Sequence, residues 1–316
     1  MTEKRLCFIG LGSIAKRHIR NLRDISMQDG VGFSIDVVRR NAVVEEADLK
    51  SCISNVYTSL SQLTEYDAIY ITNPTSMHFE TLNKIRGKAG AYFIEKPVTD
   101  LKHLDEMSKA PYIHETNSYV ACPLRYTRVV RYLKGYVKAH RVIGVRAMSS
   151  SYLPDWRPSQ DYRQTYSAKK ELGGGVAIDL IHEWDYLRDL FGMPRRVLFL
   201  QGKKSQLEIN SEDAALYLAE YADKYVELHL DYFGRKTLRE CMIFTDEDTI
   251  VADLAAGQIR FLKSGITEDF SENRDDYQKA EQRHFLEIVE GKPSDSTIAE
   301  GLQTLKLTQG IVDNDM

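Results

Sequence analysis

Two groups of residues carry the chemical content of this sequence. The first is Gly10-Leu11-Gly12-Ser13-Ile14-Ala15, directly after the short apolar run Leu6 to Ile9. Gly10 permits a tight turn, Gly12 lets backbone approach a pyrophosphate, and Ala15 is small where a helix must pack on a strand. A helix beginning there offers unpaired N–H groups and a partial positive charge to phosphates. Set between a strand and a helical run, Gly10, Gly12, Ser13, Ile14 and Ala15 form a dinucleotide loop rather than an incidental glycine turn. The second strand ends Val37-Val38-Arg39-Arg40-Asn41 with no acid at its tip. Asp36 lies inside that strand, too early to reach a ribose. Arginine suits a 2′-phosphate, so Arg39 and Arg40 favour NADP, with NAD as the other possibility. The bland alternative is a solvated surface pair.

The second group is Asp179 and His182, three residues apart and so on one face of a helix. An imidazole with a pKa of about 6.5 can take a proton at neutral pH, and Asp179, or Asp185 three residues further on, could orient it. A helix histidine alone is more often satisfied by a neighbour. The preceding Gly173-Gly174-Gly175 lets a helix start close to a ligand, and serves equally as a flexible lead-in.

The elements that must position these groups divide the chain. Strand and helix signals alternate through residue 122: strands at Leu6–Ile9, Phe33–Val38, Ala68–Ile71, Tyr92–Ile94 and Ser118–Cys122, with helices near 14–23, 78–88 and 101–109. That is the pattern of a parallel sheet covered on both faces. From about residue 142, six strand-like runs follow with short turns, broken by one helix over 176–191 and closed by helices near 276–290 and 299–312. This predicts a mostly antiparallel sheet. The expected architecture is an α/β Rossmann domain over 1–122, then an α+β domain with an open sheet over 123–316 for substrate binding and oligomerisation.

Composition excludes several classes. With 43% hydrophobic and 28% charged residues the chain is globular, and a net charge of −4 argues against a general nucleic-acid binder. No apolar run approaches the roughly 20 residues that span a bilayer, and Leu6–Ile9 is too short for the core of a signal peptide. Cys7, Cys52, Cys122 and Cys241 are scattered, which suggests free thiols in a cytoplasmic protein and no metal site. HExxH and GxSxG motifs are absent. His103, His114, His140, His229 and His284 have no neighbours that form a recognisable site.

Several motifs in order resemble the Gfo/Idh/MocA (glucose-fructose oxidoreductase, inositol dehydrogenase) family: GxGxxA followed by His18, Asn73-Pro74-Thr75 with His78, Glu95-Lys96-Pro97, Arg125-Tyr126, and Gly173-Gly174-Gly175 running to Asp179, His182 and Asp185. The stretch from Ser151 to Ser167 resembles a subgroup found among bacterial surface-sugar genes. The resemblance implies NAD(P)-dependent oxidation or reduction of a sugar, amino sugar, nucleotide sugar or cyclitol. It places Lys96, whose peptide bond to the following proline is often cis in the family, between nicotinamide and substrate, and Asn73, Pro74, His78 and Glu95 about the cofactor, although a histidine at a helix start is as often structural. Hydride transfer from an alcohol needs a general base and a cation for the developing alkoxide. His182 is then the candidate base and Lys96 the cation, with Asp179 the third catalytic candidate.

Arg125, Tyr152, Trp156, Arg157, Tyr162, Arg163, Asp179, His182 and Lys96 are candidates for substrate binding. Together with Asp161 and Tyr166, the aromatic faces and charges of 152–166 suit stacking on a sugar ring and reading its hydroxyls or an acidic substituent; a self-packed surface loop is the alternative. Arg125 reads equally as a domain-interface cation. Two departures stand out: the family's acid usually precedes the histidine by four residues, and Pro123 replaces a common Asn. The resemblance implies a homodimer or homotetramer through the C-terminal sheet. Other readings remain: an enzyme with tightly bound, recycled dinucleotide (epimerase or NAD-dependent glycosidase), or a non-catalytic dinucleotide sensor.

Overall fold

A computed structural model describes residues 3–41 and 43–313. The chain divides into two compact units, one running to Ala121 and taking in Arg274–Leu302, the other comprising Cys122–Asn273 and the residues from Gln303 on.

The first unit begins with β1 (Lys4–Ile9), α1 (Ser13–Asp29), β2 (Phe33–Val38), α2 (Ala47–Lys50) and β3 (Ile53–Tyr57). It continues through β4 (Tyr66–Ile71), α3 (His78–Ile85), β5 (Ala89–Ile94), α4 (Leu104–Ser108) and β6 (Ser118–Val120). The strands form a parallel sheet in the order β3-β2-β1-β4-β5-β6. Leu6–Ile9 and Ala68–Ile71 are buried throughout, as strands covered on both faces must be. Phe8, Tyr70 and Phe93 stack across the sheet at 4.3 and 4.9 Å. Strand order reverses between β1 and β4, and the loops leaving those two strands frame the crevice where ligands of such sheets bind. The apolar stripe of α1 buries Ala15, Ile19, Leu22 and Ile25. Gly30 at φ +70° ends the helix in a left-handed cap. β3 carries little apolar signal in Ile-Ser-Asn-Val-Tyr and goes unrecognised from sequence.

In the second unit α5 (Arg128–Ala139) leads into β7 (Val142–Tyr152), and α6 (Val176–Asp179) and α7 (His182–Phe191) precede β8 (Arg196–Gly202). Then come β9 (Ala214–Glu220), β10 (Tyr225–Asp231), β11 (Phe233–Thr245), β12 (Thr249–Asp253), β13 (Gln258–Phe261) and β14 (Thr267–Asp269). They form one eight-stranded sheet, β14-β13-β12-β11-β7-β10-β9-β8. Every pairing in it is antiparallel except β7 with β10. One face, through Val145, Ala147, Leu228, Leu230, Cys241 and Ile243, closes a core with Trp184 and Tyr186 of α7. β11 starts well before the Cys241 that the sequence suggests, because its first half, Arg-Lys-Thr-Leu-Arg-Glu, reads as a polar loop.

α8 (Arg274–Val289) and α9 (Ile298–Leu307) close the chain. α8 packs on α1 and β5 of the first unit. The first unit thus ends its first run at Ala121 and takes in 274–302 again later in the chain. Periodicity reveals that a helix is amphipathic but not which core its stripe meets.

Candidate functional site

The phosphate loop lies at the reversal point of the first sheet. Gly10 adopts φ +96°, and a Cβ there would come within 3.0 Å of the Asn73 backbone, so only glycine lets the two loops meet. Above Gly12 the opposite holds, with nothing within 4 Å of an added Cβ. Gly12 starts α1 with no side-chain cap and no acid in the first turn, and Ala15 is fully buried. Open N–H groups at a positive helix end, beside a bare glycine, fit a pyrophosphate. Asn73 donates from Nδ2 to Thr81 Oγ1 at 2.8 Å, and its Oδ1 is buried without a hydrogen-bond partner among the described residues. These features fit a dinucleotide.

At the tip of β2, Arg39 Nη1 donates to the Val43 carbonyl at 2.7 Å, while Arg40 is exposed. Asp36 accepts from Asn55 Nδ2 and the Tyr66 hydroxyl, both at 2.8 Å. Its carboxylate is thus part of the sheet's own framework.

Glu95 and Lys96 follow β5, and the Lys96–Pro97 peptide is cis. Glu95, expected about the cofactor, instead turns its carboxylate inward, 2.7 Å from His18 Nε2. Burial opposes its charge, but the hydrogen bond and charge of His18, followed by Lys96 and His78, outweigh burial and hold its pKa below the ordinary value. His78 is equally structural in its contacts. Its ring nitrogens lie 3.1 Å from the Pro97 carbonyl and 2.9 Å from that of Asn73, tying the loop after β4 to the loop carrying Lys96. Burial lowers its pKa.

In the second unit the expected continuous helix over 176–191 is broken. α6 ends at Asp179, Leu180 takes φ −97° and ψ 24°, and α7 begins at His182. Asp179 and His182 therefore sit on either side of a break, not three positions along one helix face. The cause is tertiary, because Val176 N–H bonds to the Glu212 carbonyl at 3.1 Å and Asp179 Oδ2 accepts the Tyr232 hydroxyl. Gly174 and Gly175 make these approaches possible. A Cβ at Gly174 would overlap the Tyr166 carbonyl, and one at Gly175 (φ +140°) would overlap the Glu212 carboxyl.

Asp179 is buried and His182 half-buried. Tyr166 and Tyr232 both have pKa values pushed up by burial and then by Asp179. Glu212 is pushed up by burial, opposed by backbone N–H groups including that of Ala177 and reinforced by Asp179. Tyr232 and Glu212 were not legible as site residues. Each is an ordinary residue at a strand boundary, and only the fold brings them to α6.

Beside them Leu153, Trp156, Arg157, Tyr162, Thr165, Tyr166 and Ser167 line a pocket of about 100 Å³. Trp156 packs edge-on to Tyr232 at 5.3 Å and donates from its indole to Ser151 Oγ at 2.9 Å. Other candidates are engaged elsewhere. Tyr162 accepts the Glu208 N–H at 3.1 Å, Arg163 pairs with Asp161 and Glu208 at 2.8 Å, and Tyr152 lies under the Arg235 guanidinium. Arg125 grips Asp185 in a bidentate pair at 2.9 and 2.6 Å. Both Asp185 oxygens thereby accept from Arg125.

Over residues 4–117 the chain matches the oxidoreductase family with an NAD-binding Rossmann fold, and over 130–251 the GFO/IDH/MocA C-terminal domain. The uncharacterized oxidoreductase YrbE of Bacillus subtilis (strain 168) is 24% identical over 196 residues, 61% of this chain. The match spans 55% of that relative's length. Among solved structures, levoglucosan dehydrogenase in complex with NADH and levoglucosan is 17% identical with a TM-score of 0.82, covering 98% of this chain and 96% of that one. The WlbA dehydrogenase from Bordetella pertussis, in complex with NADH and UDP-GlcNAcA, is 18% identical with a TM-score of 0.76, covering 98% and 95%. At such identities the likeness is one of fold. Among the described residues no helix is long and apolar enough to cross a membrane.

Proposed function

Since the chain belongs to the Gfo/Idh/MocA oxidoreductase family, with its NAD-binding Rossmann domain, we propose that it is a dehydrogenase acting on a hydroxyl-bearing carbon of a sugar, amino sugar, nucleotide sugar or cyclitol, with NADP preferred over NAD. The observation that carries this reading is the bare Gly12 at the uncapped start of α1, in the same unit as Lys96.

The bound nicotinamide supplies the hydride acceptor or donor. The chain supplies orientation, a cation and a proton acceptor. Gly10, Gly12 and the first turn of α1 hold phosphate. Arg39, at a strand tip without a carboxylate, would face a 2′-phosphate. Lys96 stabilises negative charge developing on the substrate oxygen, and His182 takes the hydroxyl proton. Asp179, fixed by Tyr232, binds a substrate hydroxyl or orients His182. Trp156, Arg157 and Tyr166 offer an aromatic wall and a cation to a ring and its substituents. The sugar-derived ligands of the two structural neighbours support this substrate class.

The test is a screen of purified protein with NADP and NAD against polyols, amino sugars and nucleotide sugars, read as formation of reduced nicotinamide. Lys96→Ala and His182→Ala should each lose about a hundredfold or more in turnover, the usual scale for acid–base and charge-stabilising groups, while cofactor binding survives. Near-normal turnover in both variants rejects the assignment of roles.

A further inference from the structure

α7 carries the candidate proton acceptor on its first residue, yet the chain before it does little to fix which way that residue points. α6 stops at Asp179, Leu180 turns the backbone at φ −97° and ψ 24°, and Ile181 at the N-cap of α7 makes no side-chain hydrogen bond to the helix. Two ion pairs hold this turn instead. Glu183 is fully buried, with its Oε1 2.8 Å from Arg239 Nε of β11. Asp185 accepts from Arg125 Nε at 2.9 Å and from Nη2 at 2.6 Å. Their side chains are only 13% and 9% exposed, and Arg125 comes from the short helical turn Pro123–Tyr126. On a helix, Glu183 lies about 100° to one side of His182 and Asp185 about 60° to the other. The two anchors therefore flank the direction in which the imidazole leaves α7. All five residues belong to the second unit.

We propose that Glu183–Arg239 and Asp185–Arg125 form a two-armed clamp that fixes the rotation of the first turn of α7, and so the direction in which His182 presents its ring. Arg239, Glu183, Arg125 and Asp185 are positioning residues. This rests on the reading of His182 as the site's proton acceptor.

Burial of Trp184, Tyr186 and Leu187 holds α7 on its core, but hydrophobic burial has no direction and tolerates a small roll of the helix. A buried ion pair has the opposite character. Desolvation offsets most of its attraction, so it adds little net stability, while charge-assisted contacts are short and narrowly directed. Both pairs sit in the one turn that carries His182, where carboxylates also meet the positive end of the helix. Another ion pair of α7, Asp189 with Lys134 at 2.7 Å, lies about two turns further on, with its lysine 46% exposed.

The full chain tests this without a substrate. The His182 ring protons are assigned by their loss in His182→Gln, and the ring's orientation is read from their nuclear Overhauser contacts. Glu183→Leu with Arg239→Met replaces one arm by apolar side chains of similar size. Its denaturant midpoint should stay near wild type, while the His182 ring loses or redistributes its contacts. Lys134→Met, which removes the partner of Asp189, should leave those contacts in place. If the double variant does not fold, Asp185→Asn decides instead, because it keeps the shape of the other arm but turns one acceptor into a donor facing Arg125. Wild-type contacts in the clamp variant, or an equal loss in Lys134→Met, overturn the proposal. With a turned-over substrate, the double variant should lose about a hundredfold in kcat, the scale of a misplacement of about 1 Å, with KM for the cofactor unchanged. A wild-type kcat overturns the proposal as well. Absence of turnover in the wild-type protein rejects the dehydrogenase reading and leaves the ring contacts to decide the clamp.

Discussion

Arg39 is where cofactor choice can be argued from a single side chain. Its guanidinium closes the loop after β2 by holding the Val43 carbonyl, and the nearest carboxylate in the strand, Asp36, is committed to Asn55 and Tyr66. A hydrogen bond to a charged group contributes about 1.5–3 kcal/mol, roughly ten- to a hundredfold in affinity. Arg39→Ala should weaken NADP by that factor and NAD far less, as measured by titrating each cofactor; equal loss would leave Arg39 a loop-closing residue only. Glu95 yields a second prediction at this scale. Its folded pKa lies below the ordinary 4.5, so the unfolded chain takes up the proton first. Its contribution to stability is present above that ordinary value and is lost as pH falls through the folded one. Denaturant midpoints of wild type should therefore fall across this acid window, and those of Glu95→Gln should fall less. Parallel curves would show that Glu95 has no such linkage. The sequence marked Glu95 as part of a motif, but its inward turn depends on His18, far away in the chain, which no local pattern records.

At the scale of elements, the break between α6 and α7 was invisible because no glycine or proline lies between Asp179 and His182, and the apolar spacing over 176–191 is continuous. What interrupts it is the Glu212 carbonyl at the first turn and the Tyr232 hydroxyl on Asp179, both from later strands. The triple glycine, by contrast, was legible as a place of close approach, although not what approaches. Gly175 carries the sharper test. A side chain there must adopt φ +140° and displace the Glu212 carboxyl. Gly175→Ala should cost about 3 kcal/mol or more in denaturant unfolding, combining backbone strain with overlap. Adding Glu212→Ala should recover the overlap but not the strain. A single variant within about 0.5 kcal/mol of wild type would mean the site relaxes freely.

For the molecule as a whole, the two-domain plan was legible from the change of periodicity near residue 142, but the return of α8 was not. Its place on the first unit is set by pairings such as Gln282 with His18 and Arg283 with Asp29 at 2.6 Å, and a helix pattern cannot name its partner. The eight-stranded sheet poses the opposite problem, a surface on which apolar side chains stay exposed among the described residues. On its outer face Leu198 pairs laterally with Leu218, and Leu200 with Leu216. These four residues are 54%, 42%, 74% and 42% exposed respectively. A contiguous apolar patch on a twisted sheet is unfavourable in water, and a second copy of the same face buries it symmetrically. The chain should therefore self-associate through β8 and β9. Light scattering on the eluting peak should give a multiple of the chain mass, and Leu200→Glu with Leu216→Glu should return it to one chain with an unchanged circular dichroism spectrum. A monomeric wild type at micromolar concentration rejects self-association, and a variant that remains oligomeric moves the interface to another face.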